Sequence, residues 1–320
     1  MAASAVALDL DSHLAVPAAA VASVSLPAAI PETSALPTVW LIESRAGVET
    51  YSNGLRIDDD FRVPAPPRLY RSLRRGSLEL SEVRSYPAGI VYHTTESHTV
   101  PFEAPLRDSL RRDSLATLAY VRQNGLYHFV IDRFGLVHRI VEETAAAHHA
   151  GFSVWADESN VYLNLNQSFI GVSFEGQTGT TPDGYANNPA QLFAARVLTE
   201  MLRSKYGIPE GNCVTHAQVS VNPSNRRIGY HTDWAKNFPF QDLGLRAGYQ
   251  TALPSIAVFG FEFDANFLGT LGSDRWAGLA LAENQLESAA SGADMTVTDY
   301  RKTLQRRYRQ ATAELGNGSQ

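Results

Sequence analysis

Two histidines and one aspartate, delivered by separate segments, constrain the fold of this chain more than any other feature. His93 closes the apolar run at residues 89–92, and His216 closes the run at 213–215. Asp233 follows further along, in the motif GYHTDW. These segments are far apart in sequence, so the fold has to bring them together if they act as one site. Two imidazoles and a carboxylate suit a zinc ion with one coordination position left open for water. The pattern therefore predicts a catalytic metal site that serves hydrolysis.

Length, charge and cysteine content narrow the class of protein. A chain of 320 residues holds one large domain, or one domain with additions, and 44% apolar residues predict a globular protein with a substantial core. The net charge of −6 argues against broad nucleic-acid binding, which needs a basic surface. Cys213 is the only cysteine, which excludes an intramolecular disulfide and a thiolate metal cluster. A transmembrane segment is not expected, because the sequence has no run of 18 or more apolar residues.

The chain divides by composition into four parts. Residues 1–36 are rich in Ala, Val, Ser and Pro without a basic start, which is a poor signal peptide and predicts a disordered or leader segment. Residues 37–85 contain a β-prone run and an Asn-Gly turn, and we expect an ordered extension that packs on the core. The main domain is predicted at 86–242. Residues 243–320 are predicted to form a C-terminal extension that is partly helical.

Strand and helix signals alternate through the main domain. The strand from 168 to 175 should place Ile170, Val172 and Phe174 on one face and Gly171, Ser173 and Glu175 on the other. The predicted elements of this domain are strands at 88–93 and 168–175, a hairpin at 126–141, and helices at 106–123 and 189–206. Strands interleaved with helices predict the α/β fold class.

The last predicted helix, residues 298–315, has a basic face that is unusual in an acidic chain. This face is either solvated, or it contacts an anionic cell-wall polymer or a membrane surface. The basic residues concerned are Arg301, Lys302, Arg306, Arg307 and Arg309.

Six motifs, in order along the chain, carry a family resemblance: GIVYHTTES, GLYHFVIDRFGLVHRI, AHHAG, SFIGVSFEG, VTHAQVS and GYHTDWAKNFPF. Together they resemble the zinc-dependent N-acetylmuramoyl-L-alanine amidases of the type 2 class, which share their domain with peptidoglycan recognition proteins. The resemblance covers residues 86–242. It implies a central mixed β-sheet flanked by α-helices, with N- and C-terminal extensions, and a Zn²⁺ cofactor.

Residue by residue, the resemblance assigns the metal ligands to His93, His216 and Asp233. The gap between His216 and Asp233 is longer than the family usually has, so His231 is the alternative third ligand. Two residues before the third ligand, catalytic members often carry a lysine that stabilises the oxyanion. His231 stands there in this chain, and its imidazole is predicted to take over that role.

Further site residues follow from the same motifs. Tyr127 matches a family tyrosine beside the metal, and its phenol is predicted to assist catalysis. Ser173 stands where other members have a glutamate, and Glu175, two residues on, is the candidate general base; which of the two occupies the family position is left open. His149 matches a histidine that lines the substrate cleft, and Thr95 is also predicted to bind substrate.

The resemblance implies an enzyme that cuts the amide bond between N-acetylmuramic acid and L-alanine, with peptidoglycan or muropeptides as its partners. Two alternatives are a recognition module that binds peptidoglycan without cleaving it, and a zinc hydrolase acting on another amide. The substrate implies the cell envelope or the extracellular space. Cytoplasmic recycling of cell-wall fragments is the other possibility, because residues 1–36 carry no clear export signal.

Overall fold

The computed structural model describes residues 36–178 and 188–317, so the predicted leader lies outside the described residues except for Leu36. The strands, numbered in chain order, are β1 Leu41–Arg45, β2 Val48–Tyr51, β3 Arg56–Asp58, β4 Leu73–Arg74, β5 Gly89–Thr94, β6 Phe129–Ile131, β7 Val137–Arg139, β8 Val154–Ala156, β9 Asn160–Leu163, β10 Phe169–Phe174, β11 Cys213–Thr215, β12 Arg227–Ile228 and β13 Glu262–Phe263. The α-helices are α1 Arg107–Asn124, α2 Leu165–Ser168, α3 Pro189–Tyr206, α4 His216–Val219, α5 Pro254–Phe259, α6 Ala265–Leu271, α7 Ala277–Gly292 and α8 Val297–Asn317.

A mixed central sheet organises the protein. Its strand order is β1-β2-β3-β7-β6-β10-β5-β11. The strands that carry the site, β10, β5 and β11, run parallel to one another, whereas β1, β2 and β3 form antiparallel pairs and β6 pairs antiparallel with β7. The predicted fold class, a central mixed sheet flanked by helices, is confirmed. The segment 37–85 supplies β1, β2 and β3, so this predicted extension continues the sheet.

Helix α3 covers one face of the sheet. The predicted face of β10, Ile170, Val172 and Phe174, is fully buried and shares a core with the apolar stripe of α3. The helix begins where the sequence predicts, because the Asn188 side chain accepts a hydrogen bond from the N–H of Ala190. It ends at Gly207, whose φ of 64° favours a residue without a β-carbon.

Helix α1 and the C-terminal helices build the remaining core. Leu118 and Val121 of α1 pack with Val130 of β6, the residue that points away from α3. Helices α5, α7 and α8 share a separate apolar core with Val91 of β5 and Val214 of β11. No helix in the described part of the chain is long and apolar enough to cross a membrane.

The basic face of α8 is partly used inside the protein. Arg301 pairs with Glu283 of α7 and donates to the carbonyl of Phe261. Arg307 donates to the carbonyl of Gly76, in the turn after β4. These contacts show that part of the predicted basic face docks α8 onto its neighbours, and the two interpretations of the rest stay open.

Candidate metal site

His93 and His216 meet because their strands are parallel neighbours in the sheet. In the ladder between β5 and β11, Tyr92 stands opposite Thr215, the last residue of β11. The residue that follows each of these two in the chain is therefore a histidine at the same edge of the sheet. His216 opens α4, where Thr215 and Gln218 form a capping box that defines how the chain turns. The two rings lie with their centroids 4.4 Å apart.

Asp233 lies between the two histidines. Its Oδ1 is 2.9 Å from Nδ1 of His216, and its Oδ2 is 3.3 Å from Nδ1 of His93. All three side chains are buried, and their candidate ligand atoms lie within 4.8 Å of one another. The site therefore has the His93, His216 and Asp233 composition that the sequence predicts.

A strained residue holds the loop that carries Asp233. Trp234 has a φ of 55°, which is unfavourable for a bulky side chain. Its indole is buried, and Nε1 donates to the carbonyl of His93 over 2.9 Å. Such strain costs about 1–3 kcal/mol and persists where surrounding contacts enforce it. The hydrogen bond ties the Asp233 loop to the end of β5.

The electrostatics of His93 and Asp233 suit a metal. Burial lowers the pKa of His93 to about 4, and the nearby His216 lowers it as well, against the opposing effect of Asp233. Burial by itself raises the pKa of Asp233, but His216 and His93 beside it hold that pKa well below its usual range. At neutral pH the site therefore offers a neutral His93 imidazole and an ionised Asp233 carboxylate, which are the forms that bind zinc.

Tyr127 faces the same site. Its ring centroid is 5.0 Å from that of His93, and its hydroxyl lies 3.4 Å from the carbonyl oxygen of Thr94. The residue has a φ of 57°, a second strained conformation beside the site. Burial raises the pKa of Tyr127, and the charge of Asp233 raises it further. The phenol therefore stays protonated and is available as a hydrogen-bond donor.

His231 lies against His216 and outside the group of three. The two rings are stacked, with centroids 4.4 Å apart and planes 16° from parallel. Desolvation and the neighbouring His216 lower the pKa of His231, so it is neutral at neutral pH. The structure brings Asp233, rather than the alternative ligand His231, between the two histidines.

Ser173 and Glu175 have different surroundings. Ser173 is fully buried and stands opposite His93 in the ladder between β10 and β5. Glu175 accepts hydrogen bonds from the hydroxyl of Ser114 on α1 and from the N–H of Arg133, and burial raises its pKa. These bonds direct the carboxylate toward α1, and the role of general base stays a prediction.

The two predicted substrate residues take different places. His149 is only partly exposed, and its Nδ1 lies 3.1 Å from Nε2 of His93. Burial and the neighbouring His93 lower the pKa of His149 well below its usual range. Thr95 lines an open cavity of about 410 Å³ together with Tyr120 and Tyr127. The substrate-binding roles of Thr95 and His149 stay predictions.

Several residues that support the site were not found from the sequence. The Tyr249 hydroxyl donates to the carbonyl of Trp234, and Nε1 of Trp276 donates to the carbonyl of Ala235. Arg68 is fully buried, and its Nη1 donates to the carbonyl of Phe169, which also lies at hydrogen-bond distance from Nε2 of His149. The sequence offered a signal for Trp234, since this residue follows the predicted ligand in the HTDW motif. Tyr249, Trp276 and Arg68 lie outside every motif, so the sequence gave no signal for them.

Residues 83–233, slightly less than half of the chain, match the family model described as N-acetylmuramoyl-L-alanine amidase. No curated protein matches the chain.

Several solved structures are similar to the chain, among them AmpDh3, AmiD and LysC. AmpDh3 from Pseudomonas aeruginosa, in complex with anhydromuramic pentapeptide, is 18% identical over 67% of this chain and 76% of its own, with a TM-score of 0.39. The amidase AmiD from E. coli is 21% identical over 57% of this chain and 67% of its own, with a TM-score of 0.35. LysC from Clostridium intestinale is 23% identical over 49% of this chain and 82% of its own, with a TM-score of 0.29.

Proposed function

We propose that the segment at residues 83–233, which matches the N-acetylmuramoyl-L-alanine amidase family model, uses Zn²⁺ to hydrolyse the bond between N-acetylmuramic acid and L-alanine in peptidoglycan or its fragments. The observation that carries this proposal is the buried group of His93, His216 and Asp233. Two histidines and one carboxylate form a three-residue donor set that leaves room for water or substrate, as in catalytic zinc sites.

The donor set fits zinc better than a hard cation such as Mg²⁺. Imidazole nitrogen suits zinc and related transition metals, whereas Mg²⁺ and Ca²⁺ prefer oxygen ligands. When bound, zinc polarises a carbonyl and lowers the pKa of a coordinated water to roughly 7. His93, His216 and Asp233 would hold the ion.

Tyr127 and His231 supply the polar groups that amide hydrolysis requires around the metal. The protonated phenol of Tyr127 can donate a hydrogen bond to the oxyanion that develops on the scissile carbonyl. The neutral imidazole of His231 offers one N–H donor and one nitrogen acceptor beside His216. Its position allows it to stabilise charge or to carry a proton to the leaving amine.

The open cavity beside Tyr127 supports a bulky substrate. It has a volume of about 410 Å³, and its lining includes Thr95, Glu96 and Ser97 after β5 and Thr117 and Tyr120 of α1. Peptidoglycan and muropeptides are the substrates we propose. The place of action that we propose from them is the cell envelope or the extracellular space, with cytoplasmic recycling of cell-wall fragments as the alternative.

Zinc content and muropeptide cleavage, measured on the same preparations, test the proposal. Wild-type protein should hold about one zinc per chain and release free stem peptide, and chelation should abolish the release. His216→Ala should reduce cleavage by more than about 100-fold, because even the outer partners of a metal ligand contribute about 10–100-fold. His148→Ala is the matched control, since His148 is exposed and lies next to His149 in sequence.

Other results would contradict parts of the proposal. Protein that stays free of zinc after reconstitution would show that the ligand assignment is wrong. Zinc-loaded protein that cleaves peptides without the sugar, but leaves muropeptides intact, would show that the substrate is another amide.

A further inference from the structure

A hydrogen-bonded chain leads from His93 into the protein, away from the other ligands. Nδ1 of His93 faces Asp233, while Nε2 lies 3.1 Å from Nδ1 of His149. Nε2 of His149 in turn lies 3.2 Å from the carbonyl oxygen of Phe169. Both nitrogens of each ring therefore have a partner at hydrogen-bond distance.

Metal binding by His93 would determine where the protons of this chain lie. A neutral imidazole that binds a metal through Nδ1 keeps its proton on Nε2 and donates it. His149 must then accept through Nδ1 and carry its own proton on Nε2. That proton is donated to the carbonyl of Phe169, which only accepts. Every donor in the chain thus faces an acceptor.

The backbone is shaped to hold His149 in this place. A β-carbon at position 171 would lie 2.6 Å from Cγ of His149, so the glycine at this position of β10 leaves space for the ring. The N–H groups of His149 and Ala150 both donate to Oδ1 of Asn166, over 2.8 and 2.6 Å. The ring is therefore fixed by its backbone as well as by its own nitrogens.

Arg68 holds the far end of the chain. Its Nη1 lies 3.2 Å from the same carbonyl oxygen of Phe169 and 2.7 Å from that of Gln167, and its Nε donates to the carbonyl of Glu143. The residue is fully buried. A carbonyl oxygen accepts two hydrogen bonds, so Arg68 and His149 together complete the bonding of Phe169. Arg68 precedes the family segment 83–233.

We propose that His149 is a positioning residue that orients the His93 ring for metal binding, held in place by Phe169 and Arg68. Partners of this kind determine the tautomer and orientation of a ligating histidine, and losing one costs about 10–100-fold in metal affinity. This role differs from lining the substrate cleft, because both nitrogens of His149 are used within the protein. The inference rests on the proposed zinc site.

Three substitutions at one position separate the hydrogen bond from the bulk of the ring. In His149→Asn the amide oxygen would stand where the histidine has Nδ1, so this variant keeps the acceptor for His93. In His149→Gln the amide lies one bond further out, near Phe169, and in His149→Ala there is no polar group. We expect zinc affinity, measured by competition with a chelator, to fall about 10–100-fold in the Gln and Ala variants. The Asn variant and the control His148→Ala should stay within about threefold of wild type.

Two further readouts exclude a merely structural effect. The visible spectrum of the Co²⁺-substituted protein should change in the Gln and Ala variants and be preserved in the Asn variant. Thermal unfolding of the metal-free proteins reports whether each variant folds. In the wild-type zinc form, nitrogen NMR of the histidines should find the proton of His149 on Nε2, which tests the chain without any substitution.

The results distinguish this inference from the proposed function. Wild-type protein that does not bind zinc would overturn the proposed metal site itself. If wild type binds zinc but folded Gln and Ala variants bind it equally well, only the role of His149 is wrong. An Asn variant as weak as the Ala variant, or a proton on Nδ1 of His149, would also overturn it.

Discussion

Two regions outside the family segment support the metal site, and the contacts that reach the site differ. The N-terminal region, residues 36–82, buries apolar residues such as Leu55 and Ile57 in the shared core and adds charged and hydrogen-bonded contacts. The guanidinium of Arg139 on β7 is almost fully buried. Its Nη2 lies 2.8 Å from Oε2 of Glu49 on β2, and its Nη1 lies 2.8 Å from Oδ1 of Asp59. Arg68 of the same region reaches the Phe169 carbonyl behind His149. The N-terminal region therefore acts on the His93 side of the site through polar contacts.

The C-terminal region, residues 234–317, is attached mainly through aromatic and apolar packing. Trp276 and Tyr249 are stacked with centroids 4.8 Å apart, and Trp276 also packs edge-on against Phe267. Trp276 and Tyr249 both donate hydrogen bonds to the loop just after Asp233. The pairing of Glu49 with Arg139 weakens when Glu49 is protonated in acid, whereas the stacked rings of Trp276 and Tyr249 stay uncharged at acid and neutral pH, because burial raises the pKa of Tyr249 above its ordinary value.

Removing the packed tryptophan is expected to have the largest effect. Trp276 is 5% exposed, and Trp276→Ala should lower the free energy of unfolding by about 3–5 kcal/mol, the usual cost of truncating a buried aromatic residue. Zinc affinity should fall as well, because the Asp233 loop loses its support. Denaturant unfolding and chelator competition measure the two effects.

Trp40→Ala provides the control for that experiment. Trp40 is 61% exposed, so its loss should change stability by no more than about 0.5 kcal/mol. Equal losses in the two variants would contradict the view that the C-terminal region is held by packing.

Neutralising Glu49 is expected to have a smaller effect that depends on pH. Although burial opposes it, the bond to Arg139 lowers the pKa of Glu49 below its ordinary value of 4.5. A lowered pKa adds stability above about pH 4.5, and this stability is lost as pH falls through the folded-state pKa. Glu49→Gln should therefore cost about 1.5 kcal/mol at pH 7, at the low end for hydrogen bonds to charged groups.

Unfolding curves from pH 7 down to pH 3 test this prediction. The difference between wild type and Glu49→Gln should shrink below pH 4.5, while the effect of Trp276→Ala should persist. Glu142→Gln is the matched control, because the Glu142 side chain is 40% exposed and such pairs contribute about 0–1 kcal/mol. A Glu49 effect that does not vary with pH would remove the contrast between the two regions.

The smallest effect is expected from Tyr249→Phe. This change removes only the hydroxyl that donates to the carbonyl of Trp234, and keeps the ring stacked on Trp276. Stability should fall by about 1 kcal/mol, the net value of one hydrogen bond. Calorimetry measures the loss, and unchanged zinc affinity would show that this hydrogen bond is not needed to hold the Asp233 loop.

Much of the fold could be predicted from local patterns. The helix at Pro189–Tyr206, the hairpin of β6 and β7 and the strands β5 and β10 lie where the sequence places them. The helices α5, α6 and α7 were not predicted. Helix α7 contains many small residues, Gly278, Ala282 and Ala290 among its buried ones, so its apolar stripe is weak. Its helical form depends on tertiary packing against α5 and α8.

The candidate site was also predictable only in part. The sequence by itself determined the residues His93, His216 and Asp233, because each lies in a short motif whose chemistry is local. Only the tertiary structure decided that His149 contacts His93, that Glu175 bonds to Ser114, and that Arg68 and Trp276 support the ligands. These contacts join residues distant in the chain, and side-chain identity alone does not specify them. Parallel strand register and the packing of the two flanking regions create them.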